Sequence, residues 1–219
     1  MTPSHHPDAD ELVAYASGAA PDWISLVVAC HLTYCAECRA EVELLDDLGG
    51  VLLDGIEADP DGERPVPPDT SASSRDPAAD EGARTAARAA ASMAGLPAPL
   101  QDYFADEPRW RFLAPGIQHI PLSFSVGGVP ARVVRFKPGF TIPDHAHTGV
   151  EMVLVLDGEL TDGVTKELFR TGDLSRRDEG TAHSQHITSA DPCVALVVSA
   201  APIVPSTTWG KILKALTGV

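Results

Sequence analysis

The sequence has no long apolar run: uninterrupted stretches are of the size of residues 26–30, Leu-Val-Val-Ala-Cys, far short of the ~20 residues a bilayer-spanning helix needs. No membrane span is therefore expected. Basic residues are also scarce, with 16 Lys and Arg against 31 Asp and Glu and a net charge of −15 with His neutral. Phosphates are gripped chiefly by clustered Lys and Arg, so this balance argues against direct contact with nucleic acid or an anionic membrane. A basic protein partner fits better. The start, Met-Thr-Pro-Ser-His-His-Pro-Asp, lacks the basic and apolar regions of an export signal, so the chain is expected to stay in the cytoplasm. Cysteine is sparse too. Three of the four, Cys30, Cys35 and Cys38, are grouped and only Cys193 stands apart; in a reducing compartment such a group reads as metal or redox chemistry rather than disulfides.

Proline and glycine, by contrast, are abundant at 19 and 18 residues, which signals a loose segment. Residues 8–55 read as three helices. Asp8 or Asp10 caps the first, which carries Leu12, Val13 and Ala16 and ends at Gly18; Asp22 caps the second, with Trp23, Leu26, Val27 and Cys30; the third runs from about Glu37 through Val42, Leu44, Leu45 and Leu48 to Gly49-Gly50. A bundle of roughly 50 residues is marginal by burial alone, so a structural metal would have a purpose here. Residues 57–80 hold almost nothing apolar and read as a flexible linker. Residues 81–94, Ala-rich with Arg84, Arg88 and Met93, read as a further helix that completes the helical unit.

After Pro97 the apolar period falls to near two, in the runs 120–126, 131–136, 151–156 and 193–198, with turns such as Gly127-Gly128, Pro138-Gly139, Asp157-Gly158 and Thr171-Gly172-Asp173 between strands. The expected fold class is α + β multidomain: a small zinc-bound helical bundle over 1–56, then an all-β jelly-roll domain over 97–205, with a tail at 206–219.

Within His31-Leu-Thr-Tyr-Cys35-Ala-Glu-Cys38, the spacing places one imidazole and two thiols on one helix face or across a tight helix junction, a donor set that suits tetrahedral zinc. His6, or its neighbour His5, could supply the fourth ligand. The plainer alternative is a redox or core pair of cysteines, while Cys30, on the apolar face, reads as a core thiol. The His-x3-Cys-x2-Cys pattern in a short acidic helical unit, with His5-His6 near its start and Ser25-Leu-Val-Val-Ala, His31-Leu and Cys38-Arg around it, resembles the zinc-binding anti-sigma factors of bacteria. Within that group the chain is similar to the ChrR type, in which a cupin-like domain follows. The resemblance implies zinc on His6, His31, Cys35 and Cys38 and a helical domain that wraps an extracytoplasmic-function sigma factor.

The segment from Gly139 to Gly158 carries His145, His147 and Glu151. Two histidines two apart on a strand project to one face, and the run resembles the first cupin motif, G-x5-H-x-H-x3-E-x6-G, at every fixed position. Gly172, Gly180 and His183 match the second, with Asp178 where Pro is usual and Ile187 where Asn is usual. Three imidazoles and a carboxylate could hold zinc, iron, manganese, nickel or copper; a second divalent metal, zinc first, is expected there. His186 and Cys193 are candidates for sensing or for supporting the ligands. In the ChrR type a second Cys follows two residues after the first on that strand; here the position is Ala195, so that disulfide cannot form. The resemblance implies a non-enzymatic regulator that releases its partner on oxidative stress, such as singlet oxygen or an organic peroxide. The alternative is a metal-dependent cupin dioxygenase with an N-terminal regulatory zinc module; a third reading, a redox-controlled holdase, lacks a second Cys pair.

Overall fold

The computed structural model describes residues 2–56, 95–104, 108–122, 127–200 and 203–205. The expected linker 57–80, helix 81–94, tail 206–219 and the end of the 120–126 run lie outside them.

Helix α1 spans Ala9–Ala16, with Asp8 as its N-cap and the Glu11 carboxylate accepting the Asp8 N–H at 3.0 Å. Gly18, at φ +69°, turns the chain where a side chain would be strained. Helix α2 spans Asp22–Leu32 and starts from Pro21; Asp22 is therefore the first residue inside the helix, where its negative charge opposes the positive end of the helix dipole. Helix α3 spans Ala36–Asp54. It was expected to stop at Gly49-Gly50 but runs on to Gly55. Each helical glycine costs about 1 kcal/mol, too little to end a helix whose next residues, Val51, Leu52 and Leu53, continue it.

Among the described residues, eleven strands follow a short 3-10 turn at Ala98–Tyr103. They are β1 Arg111–Ala114, β2 Ile117–Pro121, β3 Ala131–Phe136, β4 Thr141–His147, β5 Glu151–Asp157, β6 Glu159–Asp162, β7 Leu168–Arg170, β8 Leu174–Arg177, β9 His183–Ile187, β10 Cys193–Ser199 and β11 Ile203–Pro205. They form two sheets, ordered β1-β2-β3-β10-β5-β8 and β11-β4-β9-β6-β7, a two-sheet sandwich in which every pairing is antiparallel.

The six-stranded sheet is covered on both faces. That explains why β5 reads as a continuous apolar run rather than an alternation, with only Asp157 exposed. Met152, Leu154 and Leu156 face a core shared with Leu26, Val27 and Cys30 of α2 and with Leu100, whereas Val153 and Val155 face the space between the sheets, with Leu160, Phe169 and Ile187. In α2, Val28 turns the other way and packs with Leu12, Cys35, Cys38 and Val42 in a core made by the helices alone. Helices and strands, expected as separate units, are thus joined because α2 carries apolar side chains on two faces.

Candidate metal centres

The first cluster forms where α2 gives way to α3. His31 lies in the last turn of α2, Cys35 caps α3, Cys38 follows one turn on, and His6 enters from the segment before α1. The ligand atoms of these four residues all lie within 4.8 Å of one another. His6 Nδ1 sits 3.4 Å from Cys35 Sγ and 3.3 Å from Cys38 Sγ, so His6 lies at the cluster, whereas the His5 ring rests on Phe169 at 4.3 Å. Cys35 Sγ also accepts the Cys38 N–H at 3.4 Å.

The electrostatics of this cluster suit a cation. Burial pushes the Cys38 thiol up to about 12, with the neighbouring Cys35 adding to the shift, and burial also holds His31 below the ordinary histidine range. His31 donates from Nδ1 to the Gly172 carbonyl at 2.8 Å, while its Nε2 is buried without a hydrogen-bond partner among the described residues. An orphaned imidazole nitrogen is costly in a core, and a cation would satisfy it while stabilising both thiolates. The donor set, two sulfurs and two nitrogens, is that of closed tetrahedral sites.

The second cluster lies between the two sheets. Glu151 is in phase with Val153 and Val155 on β5, so it points at the opposite sheet. There β4 supplies His145 and His147, and β9 supplies His183, which pairs directly across from His145. All four are at most 5% exposed, and their ligand atoms lie within 4.8 Å of one another. His147 Nε2 is 3.0 Å from His183 Nε2 and 3.1 Å from Glu151 Oε2, and His183 Nε2 is 3.5 Å from Glu151. Burial works against the Glu151 charge, but the His147 and His183 rings outweigh it and carry its pKa down to about 2. Two Nε2 atoms aimed at each other and at one buried carboxylate form an arrangement that a cation would complete.

Support for these ligands comes from residues the sequence did not single out. His145 Nδ1 donates to the Pro143 carbonyl at 2.8 Å. His183 Nδ1 faces Asp162 at 3.4 Å, and Asp162, 1% exposed, also takes the Val164 and Thr165 N–H groups and Arg177. Burial opposes its charge as well, yet these donors hold its carboxyl well below the usual range. An aspartate at the end of a strand carries no recognisable signal until the strands are paired.

Two candidates fall elsewhere. Glu151 pairs with Ser199 at the far end of β10, whereas Cys193 opens that strand beside Asp157; it is fully buried among Val134, Phe136 and Phe169, and burial pushes its thiol up to about 12. His183, Gln185 and Ile187 face inward, so His186 faces the other way, bonded to Thr141 Oγ1 at 3.0 Å. Neither supports the ligands directly. Cys30 is a core thiol, pushed up to about 12 by burial.

No described helix is long and apolar enough to cross a membrane. Residues 103–202 match the family model of the ChrR cupin-like domain. Over 207 residues the chain is 34% identical to the anti-sigma-E factor ChrR of Cereibacter sphaeroides, covering 93% of this chain and 92% of that protein. The crystal structure of Rhodobacter sphaeroides SigE in complex with the anti-sigma ChrR contains a chain that superposes with a TM-score of 0.68 at 32% identity, covering 90% of this chain and 99% of that one. KdgF from Halomonas sp. is more distant, at 21% identity and a TM-score of 0.40 over 46% of this chain and 93% of that one. A match of this identity along nearly the whole length, spanning both the helical and the cupin-like regions, places the chain in the ChrR family of anti-sigma factors.

Proposed function

We propose that this chain is a cytoplasmic regulator that sequesters an extracytoplasmic-function sigma factor. Zinc on His6, His31, Cys35 and Cys38 would hold the three helices in the inhibitory arrangement, and a second divalent ion, zinc by preference, on His145, His147, Glu151 and His183 would tie release to oxidative stress, singlet oxygen or an organic peroxide. The observation that carries the partner assignment is helix α3. Leu44, Leu48, Val51, Leu52, Leu53 and Ile56 are each more than half exposed. The spacing of Leu44, Leu48, Val51 and Leu52 makes one stripe, and a stripe of this kind, set among Glu37, Glu41, Asp46 and Asp47, suits a partner with an apolar groove and a basic rim.

In this reading a metal at the first cluster supplies fixed geometry rather than chemistry. Cys35 and Cys38 set the start of α3, His31 the end of α2, and His6 the approach of the N-terminal segment. The test uses tagged full-length chain expressed in its bacterial host, with captured proteins identified by mass spectrometry. The wild type should recover a sigma factor, Cys35→Ala should lose it, and His145→Ala with Glu151→Ala should keep it but fail to release it on oxidant exposure. Recovery of no sigma factor by the wild type would overturn the anti-sigma reading, and a normal response of the double variant would overturn the sensing role.

A further inference from the structure

The first cluster is not built by the helices alone. The turn between β7 and β8, on the β region, reaches it twice. The Gly172 carbonyl accepts the Nδ1–H of His31, which is fully buried, and this bond leaves Nε2 as the atom turned to the cluster. Asp173, 1% exposed, accepts the Ser4 N–H at 2.6 Å and the His5 N–H at 3.0 Å through Oδ1, and the Arg170 N–H at 2.7 Å through Oδ2. Those two amides immediately precede His6. The His5 carbonyl in turn accepts the Leu174 N–H at 3.1 Å, so the N-terminal segment lies along the edge of β8 that β5 leaves open.

The fit of this turn is close. Gly172 has φ +92°, and a Cβ there would lie 2.7 Å from Pro3 Cγ and 2.8 Å from Tyr34 Cβ. The helices thus carry His31, Cys35 and Cys38, and a turn of the β region orients the His31 ring and holds the backbone that leads into His6.

We infer that Gly172 and Asp173 are positioning residues of the helical metal centre: Gly172 fixes the tautomer and tilt of His31, Asp173 fixes the backbone that delivers His6, and metal retention in the helices depends on the β region. The inference rests on the reading of His6, His31, Cys35 and Cys38 as a metal site. The groups that orient a ligating histidine typically change metal affinity 10–100-fold when removed, and a looser ligand also changes the field at the metal.

Cobalt(II) gives the test a readout specific to this centre, because among the two clusters only this one contains thiolates, and thiolate-to-cobalt absorption reports it alone. Full-length wild type, Asp173→Ala and Asp173→Asn are loaded with cobalt and challenged with excess chelator. Asp173→Ala should lose the thiolate band about 10–100-fold faster than wild type and show an altered band before chelator is added. Asp173→Asn keeps one acceptor oxygen for the Ser4 and His5 amides and should fall between the two. Should the alanine variant fail to fold, as judged by intrinsic tryptophan fluorescence, the asparagine variant carries the test. A role in stability alone would lower the melting temperature and leave the band of the folded protein unchanged, and that result, or wild-type release rates in both variants, overturns the inference. Absence of any thiolate band in the wild type overturns instead the metal-site reading on which it rests.

Discussion

Leu26→Ala probes the joint between helices and sheet. Leu26 is 2% exposed and lies in the core formed by α2, Leu100, Met152, Leu154 and Leu196. Replacing it removes three methyl or methylene groups from a buried site, about 2.4 kcal/mol at ~0.8 kcal/mol each. The cavity left between a helix and a sheet that cannot both relax adds up to about 2 kcal/mol. The expected loss is about 2.5–4.5 kcal/mol, which at ~2–4 °C per kcal/mol for a chain of this size lowers the melting temperature by roughly 5–18 °C. Urea unfolding followed by far-ultraviolet circular dichroism reports the helices, and Trp110 fluorescence, read in a background with Trp23→Phe and Trp209→Phe, reports the β region. Both midpoints should fall together. Val42→Ala, in the core made by the helices alone, serves as control and should move the helical signal more than the fluorescence. If Leu26→Ala shifted the helical midpoint and left the Trp110 midpoint in place, helices and sheet would not share a core and the reasoning would be wrong.

Three further outcomes are expected. Leu48→Asp and Leu52→Asp, on the exposed stripe of α3, should change stability by no more than about 0.5 kcal/mol yet abolish sigma-factor capture; unaltered capture would move the interface off α3. Gly172→Ala places a side chain at positive φ against Pro3 and Tyr34 and should cost more than about 1 kcal/mol, read as a fall in melting temperature of at least ~2 °C; an unchanged melting curve would contradict the packing. Burial works against the charge of Asp173, but the Arg170, Ser4 and His5 amides hold its carboxyl below the usual range. A carboxyl lowered on folding stabilises fully above its unfolded value of ~3.9, and that contribution is lost as pH falls through the lowered folded value. The stability gap between metal-free wild type and Asp173→Asn should therefore be constant above about pH 5 and shrink below about pH 4, as measured by urea midpoints; a gap that persisted to about pH 2 would argue that the hydrogen bonds do not depend on the charge.

Six of the eight residues that the two clusters bring together are marked by short-range spacing, whereas His6 and His183 enter from distant segments that no such spacing fixes. His31, Cys35 and Cys38 fall within one helix junction, and His145, His147 and Glu151 span a single strand turn, so local geometry brings them together before any tertiary contact forms. The β class was legible for the same reason, through the period-two runs. What was not legible depends on distant pairing. Asp173 reaches Ser4 across 169 residues and Gly172 reaches His31 across 141, and no local pattern marks either. The two-sided burial of α2 was hidden because Leu26, Val27 and Val28 are consecutive apolar residues, which fix no single face. Cys193 and His186 drew notice as reactive residue types, but strand register and alternation, set by β5 and β9, aim them away from the cluster.

The 141 residues between His31 and the Gly172 carbonyl also set a clock on biosynthesis. A ribosome adds about 5–20 residues per second, so His31 is made ~7–28 s before the turn that orients it. During that interval His31 has no carbonyl to turn it, the Ser4 and His5 amides have no carboxylate, and the sheet-facing side of α2 has no sheet. A nascent chain is then a set of helices whose clustered histidines and cysteines lack that support until the turn before β8 has been made. On the inference drawn above, full retention of a metal by the helices would come late, timed by the far end of the chain rather than by the helices themselves.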